Sequence, residues 1–246
     1  MPNHHDLVTK DGFRLRGTAM SRIDGFSDVV FGFALTLLVV SLEVPRTYDQ
    51  FHAAILGFVP FAICFFFLIL IWMSHFHFFR RYGLHDAGTL WINAALLFSV
   101  LFYVYPVKFM FAVASGVNVD PHLFSNPYQK REMMEVYSLG FAAIYFCLTA
   151  LYWNAWRQRV HLQLSPLEEA ITIEDLWEKF GDGCVCLLCA WIAHWLPPQR
   201  APNAGWFFFL IGVWSTINGF VFRRKIRRLR ALASPEDLEP LHTQSH

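Results

Sequence analysis

Residues 22–40 read RIDGFSDVVFGFALTLLVV, a stretch that combines a charged start with a long apolar continuation. The charged residues are Arg22, Asp24 and Asp28. Ionisable groups in a membrane helix usually face the interior of a helix bundle or a water-filled path, because lipid solvates them poorly. We therefore expect the start of this predicted helix to bond to neighbouring helices inside the protein.

The composition around this stretch is typical of a membrane protein. Hydrophobic residues make up 55% of the 246 residues and charged residues only 16%, whereas charged residues are about 25% of an ordinary soluble domain. The net charge of +1 gives no reason to expect a nucleic-acid partner. The first twenty residues are polar and charged, so no cleavable signal peptide is expected. The five cysteines lie in apolar segments and are predicted to be small buried side chains, not disulfide or metal ligands.

Six apolar stretches are close to the length of about 20 residues that a helix needs to cross a bilayer. They are residues 26–44, 52–74, 90–113, 136–156, 180–196 and 205–222. The fifth is the weakest, because Asp182 lies near its start and His194 near its end, and a buried or re-entrant helix is an alternative there. The predicted fold is therefore an all-α integral membrane protein with six transmembrane helices per chain.

The basic residues predict which way the chain is inserted. Cytoplasmic loops are enriched in Lys and Arg, and placing both termini in the cytoplasm puts most of the 20 Lys and Arg residues there. The dense basic run at 223–230 is interpreted as an orientation signal, with a juxtamembrane helix that attracts anionic lipid as the alternative. Residues 234–246 are predicted to be disordered.

Beyond its charged start, the first helix is apolar apart from the single hydroxyl of Thr36. Steps of three and four residues stay on one face of a helix. One such stripe comprises Val29, Phe33, Thr36 and Val40. The stripe is interpreted either as a packing surface, with Thr36 bonded back to its own helix, or as the lining of a path through the membrane.

The stretch RIDGFSD resembles the RxxxFSD signature that opens the first helix in the transmembrane protein 175 family, the lysosomal potassium channels and their bacterial relatives. The residues that carry this resemblance are Arg22, Phe26, Ser27 and Asp28. Weaker matches follow along the chain. Trp72 and His75 resemble the WxxHH stretch of the family, Trp91 and Asn93 resemble its WxN, and Pro106 lies where the third span often has a proline.

The resemblance implies a homotetramer in which four copies of the first helix line a central pore. The family forms its constriction from bulky apolar residues five and twelve positions after the signature aspartate, with a threonine at eight. Those positions hold Phe33, Val40 and Thr36 here, which is the stripe that helical geometry defines independently. Phe33 departs from the usual Ile or Leu. The signature motif and an implied polar network that ties the first three helices together comprise Arg22, Phe26, Ser27, Asp28, Trp72, His75 and Asn93, with Phe26 belonging to the signature only.

The function implied is a potassium-permeable cation channel in a bacterial plasma membrane. Its implied partners are copies of itself and membrane lipids, with no nucleic acid, no cofactor and no catalytic or metal site. The implied organisation is a cytoplasmic N-terminal tail at 1–21, a channel domain at 22–231 and a cytoplasmic C-terminal tail at 232–246.

Two alternatives to the channel remain open. A small-molecule or proton-coupled secondary transporter also suits six spans with interior polar groups. His75 and His77 raise the possibility of a haem or proton site, although two residues apart on a helix they point to different sides. An enzyme is not expected, because the sequence contains no GxSxG, HExxH or Walker motif.

Overall fold

A computed structural model describes residues 8–9, 11–40, 47–115 and 124–232. The described residues form six α-helices, and an eight-residue 3₁₀-helix at Ala201–Phe208 leads into the last of them. The helices are α1 (Arg22–Val40), α2 (Tyr48–Tyr82), α3 (Ala87–Ser115), α4 (Pro127–Arg157), α5 (Pro166–Trp195) and α6 (Phe209–Leu232). Residues 41–44 of the first predicted span and the predicted disordered tail lie outside the described residues.

Local sequence signals set the helix ends, and two helices are much longer than their apolar stretches. α2 continues to Tyr82, where Gly83 adopts a left-handed φ of 57° and its N–H bonds to the Phe79 carbonyl at 2.9 Å, as expected for a C-terminal glycine. α5 begins fourteen residues before the predicted span, because Ser165 and Glu168 form a capping box with proline at the first turn. A search for apolar stretches misses that polar first half.

The helices pack so that α5 lies between α4 and α6, while α1 packs on α3 and α2. The main hydrophobic cluster includes the fully buried residues Leu96, Leu148 and Leu151. α3 and α4 approach closely at Gly140, where an added Cβ would lie 1.4 Å from the Tyr103 ring. The bundle thus places the start of α1 against two helices of its own chain.

Four segments of the described residues are long and apolar enough to cross a membrane. They are Phe61–Tyr82, Ala87–Val104, Tyr128–Arg157 and Ala201–Leu232. α1 and α5 are not among them: α1 has 19 residues and opens with charged ones, and α5 carries acidic residues through its first half. The all-α membrane class therefore agrees with the prediction, whereas six spans remain a prediction.

Candidate functional site

The buried start of α1 is tied to α3 and α2 by a chain of hydrogen bonds between neutral side chains. The Asn93 Nδ2 amide donates to Ser27 Oγ at 3.0 Å, and the Asn93 Oδ1 oxygen lies 2.9 Å from His75 Nε2. All three side chains are buried. Because an amide oxygen can only accept, His75 carries a proton on Nε2 in this arrangement. One residue from each of the first three helices therefore meets at this point.

A second contact holds the signature aspartate. The Trp72 Nε1–H of α2 donates to Asp28 Oδ1 at 2.9 Å, and the Trp72 ring stacks on Phe76 with centroids 5.6 Å apart. The structure thus brings together Ser27, Asp28, Trp72, His75 and Asn93 of the predicted network.

Two residues of the predicted signature, Arg22 and Phe26, lie apart from these contacts. Arg22 is exposed, and no hydrogen bond or ion pair within the described residues involves its side chain. Phe26 is 63% exposed, on the outward side of α1. Neither residue therefore bridges two helices among the described residues.

The predicted stripe lies on a face of α1 that its own chain leaves uncovered. Val29 is 70% and Phe33 58% exposed, and Thr36 is also exposed. The opposite side of α1 is buried, with Phe31, Ala34 and Leu38 as its buried members. The side chain of Val40 lies outside the described part of the chain.

Within the residues that the structure describes, no packing partner covers Val29, Phe33 or Thr36 of the stripe. The Thr36 hydroxyl donates to the Phe33 carbonyl of its own helix at 2.7 Å, as one interpretation of the sequence expected. This bond uses the hydroxyl proton and leaves the lone pairs of the oxygen free to accept. Among the described members of the stripe, Thr36 is the only one with a polar side chain.

The segment before α1 binds the helices directly. The sequence had been used only to predict topology from its basic residues. We call residues 11–21 the N-terminal strap. Its Phe13 is fully buried and meets Tyr82 edge-on at 5.4 Å. The backbone N–H groups of Arg16 and Gly17 bond to the carbonyls of Arg81 and Arg80 at 3.2 and 3.1 Å. The strap thus satisfies carbonyls at the end of α2 that have no partner in their own helix.

Two arginines of the strap bind one buried glutamate of α5. Arg14 Nη2 lies 2.9 Å and Arg16 Nη2 lies 2.8 Å from Glu168 Oε2, and the Glu168 side chain is fully buried. Burial alone would raise the pKa of the Glu168 carboxyl, but hydrogen bonds from Arg14 and Arg16 outweigh it and lower the pKa. The SPLE sequence at 165–168, with Ser and Glu in the spacing of a capping box, was the available signal for this residue.

A cleft of about 560 Å³ lies where the strap, the start of α1 and the end of α2 meet. Asp24, Asp28, His75 and Arg80 are among its lining residues. Asp24 Oδ2 accepts from the N–H and hydroxyl of Ser21 at 3.0 and 2.8 Å. Its Oδ1 is buried and finds no partner in the described part of the chain. Polar groups at the start of α1 therefore open into a space large enough for water.

Metal chemistry finds no support in the described ranges. No group of three His, Cys, Asp or Glu side chains is arranged to hold an ion there. His75 is buried against Asn93, whereas His77 is exposed, so the two imidazoles do not converge.

Comparisons with known proteins place these features in a family. The family model for the endosomal/lysosomal potassium channel TMEM175 matches residues 22–103. A potassium channel of Marivirga tractuosa is 32% identical over 230 residues, which cover 88% of this chain and 93% of that protein. A potassium channel of Chamaesiphon minutus is 26% identical over 186 residues, or 71% of this chain and 86% of that one.

Solved structures agree in fold. A crystal structure of a threonine-to-alanine variant of the potassium channel MtTMEM175, in complex with a nanobody–MBP fusion, matches with a TM-score of 0.76 at 30% identity. That match covers 88% of this chain and 99% of the other. A lysosomal potassium-selective channel TMEM175 homolog from Chamaesiphon minutus matches with a TM-score of 0.52 at 22% identity, covering 80% and 96% of the two chains.

Proposed function

Since this chain belongs to the TMEM175 family of potassium channels, we propose that four copies of α1 surround a potassium path with a hydrophobic constriction at Phe33 and Val40. The chain is a potassium channel and not an enzyme, as the sequence predicted. The tetramer, the pore lining and the constriction belong to the proposal.

The observation that carries the proposal is the uncovered face of α1. Phe33 and Val29 are more than half exposed, while the opposite face is buried on α2 and α3. Lipid could cover such an apolar face, but the same helix opens with Arg22, Asp24 and Asp28, which lipid solvates poorly. When copies of α1 surround a shared axis, the exposed apolar face of the helix meets its copies. The charged start of the helix then meets water.

The proposed constriction works by excluding water. Rings of apolar side chains that approach closely lose their water, and a cation cannot enter without ligands to replace its hydration shell. Phe33 supplies one ring and Val40 the other. Thr36 lies between them, and its oxygen keeps lone pairs for water or a cation because its proton is bonded to the Phe33 carbonyl. Small dilation at Phe33 would then admit water and potassium.

The proposed topology has six spans, including α1 and α5, with both termini in the cytoplasm of a bacterial cell. The strap, the end of α2 and the start of α5 are in mutual contact, so Arg14, Arg16 and Arg81 lie at one end of the bundle. Lys and Arg are enriched on the cytoplasmic side of membrane proteins. We accordingly place residues 1–21 and 232–246 on that side, with 22–231 as the channel domain.

The constriction is tested by removing one ring and comparing it with an equally exposed phenylalanine elsewhere. Phe33→Ala is expected to raise potassium flux through protein-containing liposomes severalfold, because the narrow apolar ring is lost. Phe66→Ala on α2 is the matched control, since Phe66 is also 58% exposed, and its flux should equal that of the unaltered protein. Equal fluxes for all three proteins would remove Phe33 from the constriction, and a monomer in native mass spectrometry would remove the central pore.

A further inference from the structure

α6 continues past its apolar part as a helix with two unlike sides. Ile226 and Leu229 are partly buried and pack against the main hydrophobic cluster. The remaining sides are cationic, and we call this surface the cationic face of α6. Its residues are Arg223, Arg224, Lys225, Arg227 and Arg228, all exposed. The packed side fixes the helix on the bundle, so these cations are held in a defined place.

Three other cations at the same end of the bundle have carboxylate partners. Arg14 and Arg16 bind Glu168, and Arg81 binds Asp175. In the part of the chain that the structure describes, no residue of the cationic face lies within 4.0 Å of a carboxylate oxygen. Like charges three and four residues apart on a helix repel each other. An orientation signal requires only that these cations be present, whereas clustered, uncompensated charge favours an external anion.

The position of the cationic face relative to the bilayer indicates which kind of anion it binds. The face begins one residue after the apolar stretch 205–222, and the preceding Phe220 and Val221 are strongly exposed, as lipid-facing residues are. A helix rises about 1.5 Å per residue, so Arg228 lies about 8 Å beyond Arg223. The headgroup layer of each leaflet is about 5 to 8 Å thick. The cationic face therefore spans the depth of lipid phosphates, and its long side chains can bend toward them.

We propose that the cationic face of α6 binds the headgroups of anionic phospholipids. Arg223 and Arg224 lie deepest and contact the lipid phosphates, with Arg227 and Arg228 at the outer edge of the layer. Guanidinium groups suit this partner because they bind phosphate oxygens in pairs. Polybasic segments directly beside a membrane helix attract anionic lipid in the same way. The bound lipid neutralises the self-repulsion of α6 and supports its contact with α5, where Asn218 Nδ2 donates to the Glu174 carbonyl at 3.0 Å.

The test compares three full-length variants that each lose two cations. Arg223→Gln/Arg224→Gln removes the deep pair, and Arg227→Gln/Arg228→Gln removes the outer pair. Lys130→Gln/Arg200→Gln is the control, because it makes the same change in net charge at the other end of the bundle. Glutamine forms helices about as well as Arg and Lys, so the helix is preserved. Each protein is titrated in detergent with phosphatidylglycerol or phosphatidylcholine, and bound lipid is counted by native mass spectrometry.

We expect the unaltered protein to bind phosphatidylglycerol in preference to phosphatidylcholine. Removal of the deep pair should weaken phosphatidylglycerol binding by about tenfold or more, removal of the outer pair should weaken it less, and the control should match the unaltered protein. Added salt should weaken phosphatidylglycerol binding to the unaltered protein, which tests the proposal without any substitution.

Three results would overturn the proposal: equal binding of the two lipids, full phosphatidylglycerol binding after loss of the deep pair, or an equal loss in the control. The readout involves no ion flux and no pore, so this proposal and the proposed constriction can fail separately.

Discussion

Two polar regions hold α1 in place, and they are built from different chemistry. The Ser27–Asn93–His75 cluster joins α1 to α3 and α2 through neutral hydrogen bonds. The N-terminal strap joins the end of α2 to α5 through Arg14, Arg16 and a buried glutamate. Ionised groups lose far more than amides or hydroxyls when they leave water. We therefore expect the neutral cluster to lie deeper in the membrane and the strap to lie at its boundary.

The largest loss of stability is expected from a substitution of Glu168. Glu168→Ala leaves the charges of Arg14 and Arg16 without their shared partner, and loss of one side of a buried ion pair destabilises a protein by about 3–5 kcal/mol. We expect a large fall in the thermal unfolding temperature in detergent. Glu169→Ala is the neighbouring control, because Glu169 is 41% exposed and lies 3.8 Å from Arg159, and exposed pairs contribute at most about 1 kcal/mol. Equal effects of the two changes would mean that the strap is not held by its charges.

The neutral cluster is tested by Asn93→Ala. The change removes the partner of both Ser27 and His75, and an unsatisfied buried polar group costs about 1–3 kcal/mol. The unfolding temperature should fall by less than for Glu168→Ala, because no charge is stranded. Asn203→Ala serves as control, since Asn203 is exposed and should change the temperature little. A larger fall for Asn93→Ala than for Glu168→Ala would contradict the expectation that the charged contact costs more to break than the neutral one.

Asp86 combines the chemistry of the two regions, because it is a carboxylate held by neutral donors only. It lies between α2 and α3, where burial would raise its pKa, but hydrogen bonds from Thr89, Gln158 and Asn154 outweigh burial and lower the pKa from 3.8 to about 2. A lowered pKa in the folded state stabilises the protein above 3.8, and this stabilisation is lost as the pH falls toward 2. Because Asp86 is partly exposed, the contribution is at most about 1 kcal/mol.

The effect of Asp86 is measured as a pH dependence. The unfolding temperature of Asp86→Asn is compared with that of the unaltered protein at pH about 6 and about 3. The unaltered protein should lose more stability between these values than the variant does. An identical loss would show that the donors around Asp86 do not favour its ionised form.

The sequence predicted the parts of the site whose residues match the family's motifs. It did not predict the parts that depend on contacts between residues far apart in the chain. The contacts among Ser27, Asp28, Trp72, His75 and Asn93 were anticipated because their residues carry the family signature and its weaker companions. Arg22 belongs to the same signature, yet its side chain makes no polar contact in the described part of the chain. A signature specifies which residue stands at a position. It does not specify whether the side chain contacts its own chain or another copy.

The strap and the length of α5 were missed for physical reasons. Phe13 lies in a short segment with no long apolar stretch, and only the fold brings Tyr82 against it. The first half of α5 is acidic, so a search for apolar stretches starts the helix at the wrong residue. Its polar residues are stabilised by the strap and the end of α2, and that compensation is invisible to local hydropathy.

The strap also has a consequence for how the protein is made. Arg14 and Glu168 lie 154 residues apart in the chain, although they are in direct contact when folded. The segment that precedes α1 therefore cannot reach its final place until the ribosome has released the start of α5. α1 can enter the membrane and bond to α2 and α3 early, but the contact of its preceding segment with α5 forms late. We expect nascent chains that end before α5 to carry an inserted first helix whose Arg14 and Arg16 still lack their carboxylate partner.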